Sequence, residues 1–149
     1  MGRDGPKCRT EEVPVWGGKI EKFEAYLSSA NRARPEGVSE STVRRLVYNY
    51  GSEHGRILEL VEKSTAIRPD GRRAEERLLE AEITYAGQNE MACKLSDVIL
   101  RRTEIGSAGH PGERILQYCA DVMARVCGWN EMEKNTNLCE VEEYYVKRT

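Results

Sequence analysis

Residues 82 to 106 read EITYAGQNEMACKLSDVILRRTEIG. Ile83 and Ala86 stand one helical turn apart, with Glu90 a further turn on, which is the spacing of one helix face. A second helical piece opens at Ser96 or Asp97 and carries Val98 and Ile99 before Arg101 and Arg102. The stretch is therefore two helices joined at a bend. Its carboxylates, Glu82 and Glu90, and its guanidinium groups, Arg101 and Arg102, lie close to apolar faces, where charge is costly unless paired. Such a placement calls for either a buried ion network or a docking surface.

Catalytic use of the carboxylates fits poorly. Glu82 and Glu90 are eight residues apart, hence about 12 Å along a continuous helix. That is wide even for the paired acids of an inverting glycosidase, and no sugar-stacking aromatics flank them. Pairing with Arg101, Arg102 or a backbone amide explains them better. Glu82, Glu90, Arg101 and Arg102 are the candidate residues of a structural or interdomain ion network. No catalytic, cofactor-binding or metal-binding residue is assigned.

The flanks carry the same helical period. Ile20, Phe23, Leu27 and Ala30 make one stripe over residues 19 to 31, and Val43, Leu46, Val47 and Tyr50 make the next. Ser39 or Ser41 suits the N-cap of that second helix, and Gly51 its end. Ser52 is placed to cap a helix with Ile57, Leu60 and Val61 inward. A turn is expected over residues 65 to 73, then the central pair at about 74 to 93 and 97 to 104. Pro111 suits the first turn of a further helix, with Ile115, Leu116, Cys119, Val122, Met123 and Val126 on its broad apolar face. Asn130 and Glu133 form a capping box for the last helix, to about residue 146, which carries Leu138, Val141 and Tyr145. Only Ala81 to Ala86 offers a competing strand. The expectation is an all-α, compact bundle of six or seven helices. Residues 1 to 18, punctuated by glycine and proline, form an extended arm, and residues 19 to 149 form the helical body.

The 149 residues suit one domain, with 39% hydrophobic and 32% charged residues and a net charge of −2. That balance lacks the basic excess by which a general nucleic-acid binder releases counterions. Residues 39 to 64 imitate a helix-turn-helix with Arg44, Arg45 and Arg56, but Glu53, Glu59 and Glu62 on the second helix would repel DNA. No run of apolar residues is long enough to span a membrane, and the N-terminus lacks the apolar core of a secretory signal. Five cysteines without a C-x-x-C pair point to reduced thiols in a cytoplasmic protein. Cys119, Cys127, Cys139 and His110 lack the close spacing of a zinc set. No G-x-G-x-x-G fingerprint is present, so this chain is not expected to hold a dinucleotide.

The central stretch also carries a family resemblance. Glu82, Ile83, Tyr85, Ala86, Glu90, Met91 and Ala92, then Leu95, Asp97, Val98, Ile99, Leu100, Arg101, Arg102, Thr103, Ile105 and Gly106, resemble the C-terminal helical domain of FAD-dependent glycerol-3-phosphate dehydrogenases. Gly109-His110-Pro111-Gly112, Met123-Ala124 and Gly128-Trp129 follow in register. Upstream, Trp16-Gly17-Gly18-Lys19-Ile20 and Tyr50-Gly51-Ser52 fit two of the family's turns. The resemblance covers roughly residues 13 to 147. It departs at Trp16, where the family has proline, and at Gly87 and Gln88, where a larger apolar residue and an arginine are usual.

The resemblance implies a non-catalytic cap packed on the flavin domain of the same parent polypeptide. That parent oxidises glycerol 3-phosphate to dihydroxyacetone phosphate with FAD. It is cytoplasmic and peripheral on the inner face of the membrane. Residues 1 to 18 then read as the remnant of a linker. A freestanding helical protein-interaction module is the alternative. The ion-network reading predicts that Arg102→Ala lowers the melting temperature more than Arg72→Ala, whose side chain falls in the expected turn; equal melting temperatures would contradict it.

Overall fold

The computed structural model describes residues 11–65 and 74–147. It is all-α, as the periodicities require, with no strand among the described residues. The helices are α1 (Phe23–Arg32), α2 (Glu40–Tyr50), α3 (His54–Thr65), α4 (Ala74–Asn89), α5 (Leu95–Asp97), α6 (Glu113–Cys127) and α7 (Glu131–Val146). A 3₁₀ turn, Gly51–Glu53, precedes α3, and a π turn, Val98–Arg102, continues α5. Ala81 to Ala86 lies inside α4. Of the expected turn, residues 66–73 lie outside the described residues, as do residues 1–10 of the expected arm. None of the described helices is long and apolar enough to cross a membrane.

Packing groups the chain into two compact units, Met1–Arg56 and Ile57–Thr149. In the first unit, α1 lies on α2, with Leu27, Ala30, Val43 and Val47 buried between them. Phe23 meets Tyr48 edge-on at 4.8 Å. The Ser39 hydroxyl caps α2 by accepting from the Thr42 amide at 3.1 Å. Helix α1 starts at Phe23, not near residue 19, because Gly17 and Gly18 make a turn that carries into the following residues. The Gly18 amide donates to the Val15 carbonyl at 2.8 Å, and the Ile20 amide to Gly18 at 2.9 Å. Ser52 does not cap α3, because Gly51–Glu53 makes a 3₁₀ turn that holds Ser52 one turn before the helix.

The Trp16-Gly17-Gly18 and Tyr50-Gly51-Ser52 motifs are two halves of one contact. The Ser52 amide donates to the Gly17 carbonyl at 2.8 Å. Gly17 and Gly51 both take positive φ, 81° and 56°. A methyl on Gly51 would collide with the Gly17 carbonyl, and one on Gly17 with the Tyr50 carbonyl. Two backbones approach here to a distance only glycine permits. Outside the contact, Arg56 stacks over the Trp16 ring at 5.3 Å and pairs with Glu53 at 3.0 Å.

In the second unit the core is Ile83, Ala86, Leu95, Val98 and Ile99 against Leu116, Cys119, Ala120 and Met123, with Val141 from α7. Burying each of the larger aliphatic side chains contributes on the order of 1.5–3 kcal/mol. Helices α4 and α6 run parallel: Glu76 pairs with Arg114 near their N-terminal ends, and Val126 packs on Gly87 near their C-terminal ends. A side chain at position 87 would strike the Val126 methyl, which accounts for the departure noted there. Helix α7 turns back on α6 after Gly128, whose left-handed φ of 73° ends α6. The Asn130 and Glu133 capping box forms in both directions, at 2.8 and 3.0 Å.

Pro111 precedes α6 and does not lie inside it. Gly112, at φ 89°, is the N-cap, and no residue in that conformation can continue an α-helix backwards. The Gly112 amide donates to His110 Nδ1 at 3.0 Å, so His110 presents its Nε2 to Glu142, also at 3.0 Å.

Gly51→Ala and Gly37→Ala separate close approach from backbone strain. Gly37 also has positive φ, 82°, but open space around it. Gly37→Ala is expected to cost about 1–2 kcal/mol from φ alone. Gly51→Ala should cost distinctly more, read as a lower urea midpoint at unchanged m-value; equal midpoints would remove the contact's importance.

Candidate functional site

The bend between α4 and α5 gathers most of the residues singled out in the sequence. Helix α4 stops at Asn89, and the Glu90 and Ala92 amides both donate to the Ala86 carbonyl, at 3.0 and 3.1 Å. Between them Met91 takes φ 56° with its side chain 86% exposed. A methionine in the left-handed region costs about 1–2 kcal/mol, so the chain reverses here under strain.

Beyond the reversal, Asp97 organises the backbone. Its Oδ2 accepts from the Cys93 and Lys94 amides at 3.2 and 3.1 Å, and its Oδ1 from Arg101 Nη1 at 2.9 Å. The Leu95 amide donates to Asn137 Oδ1 on α7 at 3.0 Å, and Lys94 reaches Glu140 at 2.9 Å. The amides that a new helix leaves without partners are thus met by side chains. The helix then widens. The Thr103 amide bonds the Val98 carbonyl five residues back at 3.0 Å, and the Thr103 hydroxyl bonds the same oxygen at 2.8 Å. The Arg-Arg-Thr segment is therefore a π turn with a double closure on one carbonyl. Such turns occur most often where function has displaced regular structure.

The four candidate residues divide. Arg102 Nη2 donates to the Glu90 carbonyl at 3.2 Å, and its Nε lies 3.7 Å from the Glu90 carboxylate. Arg101 turns instead to Asp97, and its side chain is 74% exposed. Glu82 lies within α4, 3% exposed, and its carboxylate is not left without a partner. The bend thus brings Glu90 to Arg102, gives Arg101 a partner outside the four, and keeps Glu82 in the interior.

Two sets of polar residues escaped the sequence reading. Asp97 was visible as motif but not as an anchor, although it stands four residues before Arg101 in the register of a helical ion pair. The second set is the seam between α4 and α6. Glu76 takes Arg114 at 2.7 Å, and Glu80 takes Tyr118 at 3.1 Å and Arg125 at 2.5 Å. These partners are about forty residues apart, and no local pattern signals them. Among the described residues no cluster of three or more His, Cys, Asp or Glu could hold a metal ion.

The geometry ranks three substitutions. Asp97→Ala strips the caps from two amides and should cost about 1–2 kcal/mol. Arg102→Ala breaks a half-exposed pair and should cost less than about 1 kcal/mol, and Arg101→Ala less than about 0.5. Urea midpoints give the order directly, and an Arg101→Ala loss as large as that of Asp97→Ala would refute the anchoring role.

Comparison with known proteins places this arrangement. Residues 8–134 match the family described as the C-terminal domain of alpha-glycerophosphate oxidase. The chain is 28% identical over 142 residues to an aerobic glycerol-3-phosphate dehydrogenase of Staphylococcus epidermidis, covering 91% of the chain and 24% of that protein. It is 27% identical over 147 residues to a glycerol-3-phosphate dehydrogenase of Synechocystis, covering 97% of the chain and 26% of the relative. A probable mitochondrial glycerol-3-phosphate dehydrogenase of Dictyostelium discoideum is 26% identical over 92% of the chain and 21% of its own length. The chain thus spans about a quarter of the length of these curated relatives. No solved structure matches it. With its Arg-Arg-Thr turn, its paired glycine motifs and a match over residues 8–134, the chain belongs to the family of alpha-glycerophosphate oxidase C-terminal domains.

Proposed function

We propose that the chain serves as the C-terminal helical domain of an FAD-dependent glycerol-3-phosphate dehydrogenase, packed on the flavin domain of the same polypeptide. The family match over residues 8–134 carries this reading. In it, the parent oxidises glycerol 3-phosphate to dihydroxyacetone phosphate and passes the electrons from FAD to a quinone or another acceptor. The parent works in the cytoplasm, peripheral on the inner face of the membrane. This domain supplies none of the reacting groups.

The residues of the chain do not fit the flavin. Its sequence has no G-x-G-x-x-G turn, and its described residues make no strand from which a dinucleotide-binding β-α-β unit could be built. The flavin accordingly belongs to the partner domain, and no step of the oxidation is assigned here.

The distribution of exposed apolar side chains supports a docking role for the first unit. Val13, Val15, Trp16 and Tyr48 are 60%, 79%, 65% and 57% exposed. Large apolar groups gathered in one segment of a charged surface mark an interaction site more often than chance exposure. The exposed Arg101 and the strained, exposed Met91 offer a second contact, with a cation held in place by Asp97.

The test is reconstitution. The chain and a separately expressed flavin domain of the same enzyme class should form a one-to-one complex by size exclusion. The FAD of that domain should be retained to a higher temperature in the complex, since a partner that binds only the native state raises its melting temperature. Val15→Asp with Trp16→Asp should weaken the complex at least tenfold. No complex at micromolar concentrations of both proteins would defeat the cap reading and favour a freestanding interaction module.

A further inference from the structure

Two thiols meet at the bend. The Cys127 sulfur, on the last residue of α6, lies 3.8 Å from the Ala92 carbonyl oxygen. The carbon of that carbonyl is bonded to the nitrogen of Cys93. Both cysteines are exposed. Cys93 lies in the non-helical segment between α4 and α5, immediately after the strained Met91, where no helical hydrogen bond fixes its side chain. The other described cysteines are placed differently. Cys119 is fully buried, and burial pushes its thiol up to about 12. Cys139 stands alone on the outer face of α7.

We propose that Cys93 and Cys127 are a reversible disulfide site that staples the α4–α5 bend to the end of α6. The co-reactant is a peroxide. The Cys93 thiolate attacks the peroxide oxygen, and the O–O bond breaks to leave a sulfenic acid and, after proton uptake, one water. The Cys127 sulfur then attacks the Cys93 sulfur. The S–O bond breaks, its oxygen leaves as a second water with the thiol proton, and the S–S bond forms. Two thiols are oxidised by two electrons and hydrogen peroxide is reduced to two waters. A dithiol reductant reverses the step by exchange and is itself closed to a cyclic disulfide.

The order of the two sulfurs follows from their surroundings. Partial burial pushes the Cys127 thiol up, and the neighbouring Cys93 pushes it further. Cys127 is therefore the weaker first nucleophile and acts as the resolving thiol, while Cys93 is open to the oxidant. The staple would span the bend that holds the Glu90–Arg102 pair and the Asp97 caps, and so would remove the freedom of the strained reversal. It rests on the geometry of this chain alone and stands whether or not the domain docks on a flavin partner.

Peptide mapping of the full chain after treatment with hydrogen peroxide tests it. Trypsin separates the cysteines: residues 78–94 carry Cys93, and residues 126–134 carry Cys127. The expected product is these two peptides joined, two hydrogens lighter than their sum, and separated again by dithiothreitol. Cys93→Ser and Cys127→Ser should each abolish it, and Cys139→Ser should not. The oxidised chain should melt several degrees higher than the reduced chain, and this shift should vanish in both single variants. Sulfinic or sulfonic acid on the two cysteines without a cross-link would overturn the proposal, as would a cross-link to another cysteine or between two chains.

Discussion

The second unit turns on a single carboxylate. Asp97 accepts the Cys93 and Lys94 amides and the Arg101 guanidinium together. It thereby closes the start of one helix and fixes one arginine of the next turn. Without it, the bend would leave two amides unmatched beside Leu95 and Val98, both fully buried. Those two side chains help fill the space between α4 and α6, so the packing of the parallel pair depends on how tightly the bend is drawn. Asn137 and Glu140 add hold from α7. The signature segment is thus a knot of local hydrogen bonds on which long-range packing rests.

What the sequence made legible was whatever its chemistry decided locally. The Ser39 cap, the Asn130 and Glu133 box, the glycine ends at Gly51 and Gly128, and the apolar stripe of α6 each follow from a few adjacent residues. The partners of Glu76 and Glu80 did not, because Arg114 and Arg125 reach them only after α6 has packed alongside α4. Pro111 misled because the glycine after it takes a φ that ends helical continuity. Among the candidate residues, one charge at one helical offset was the readable part. Arg101 and Asp97 are four apart, whereas the pairing of Arg102 with Glu90 crosses the reversal at Met91. The use of Gly87 needed the position of Val126, which no local pattern contains.

The glycine motifs illustrate how a family signature can be structural. Gly17 and Gly51 are separated by a whole helical hairpin, yet each occupies space the other's carbonyl requires. Their joint retention needs no ligand. The same holds for Arg102, whose contact with Glu90 lies within the chain. Surfaces that a partner would need are instead found where side chains are left outward: Val15 and Trp16 in the first unit, and Arg101 and Met91 at the bend.

The π turn at Val98–Arg102 carries a consequence for register. A ring closed five residues back holds one residue more than an α turn does. One residue is about 100° of rotation about a helix axis. Val98 and Ile99 stay on the core side while Arg101 and Arg102 part company, one toward Asp97 and one toward Glu90. The two adjacent arginines differ in phase because of a single surplus residue. Shortening the segment by one position would restore an ordinary helix and point a different pair of side chains at the bend. In that sense the length of the signature, as much as its composition, encodes the site.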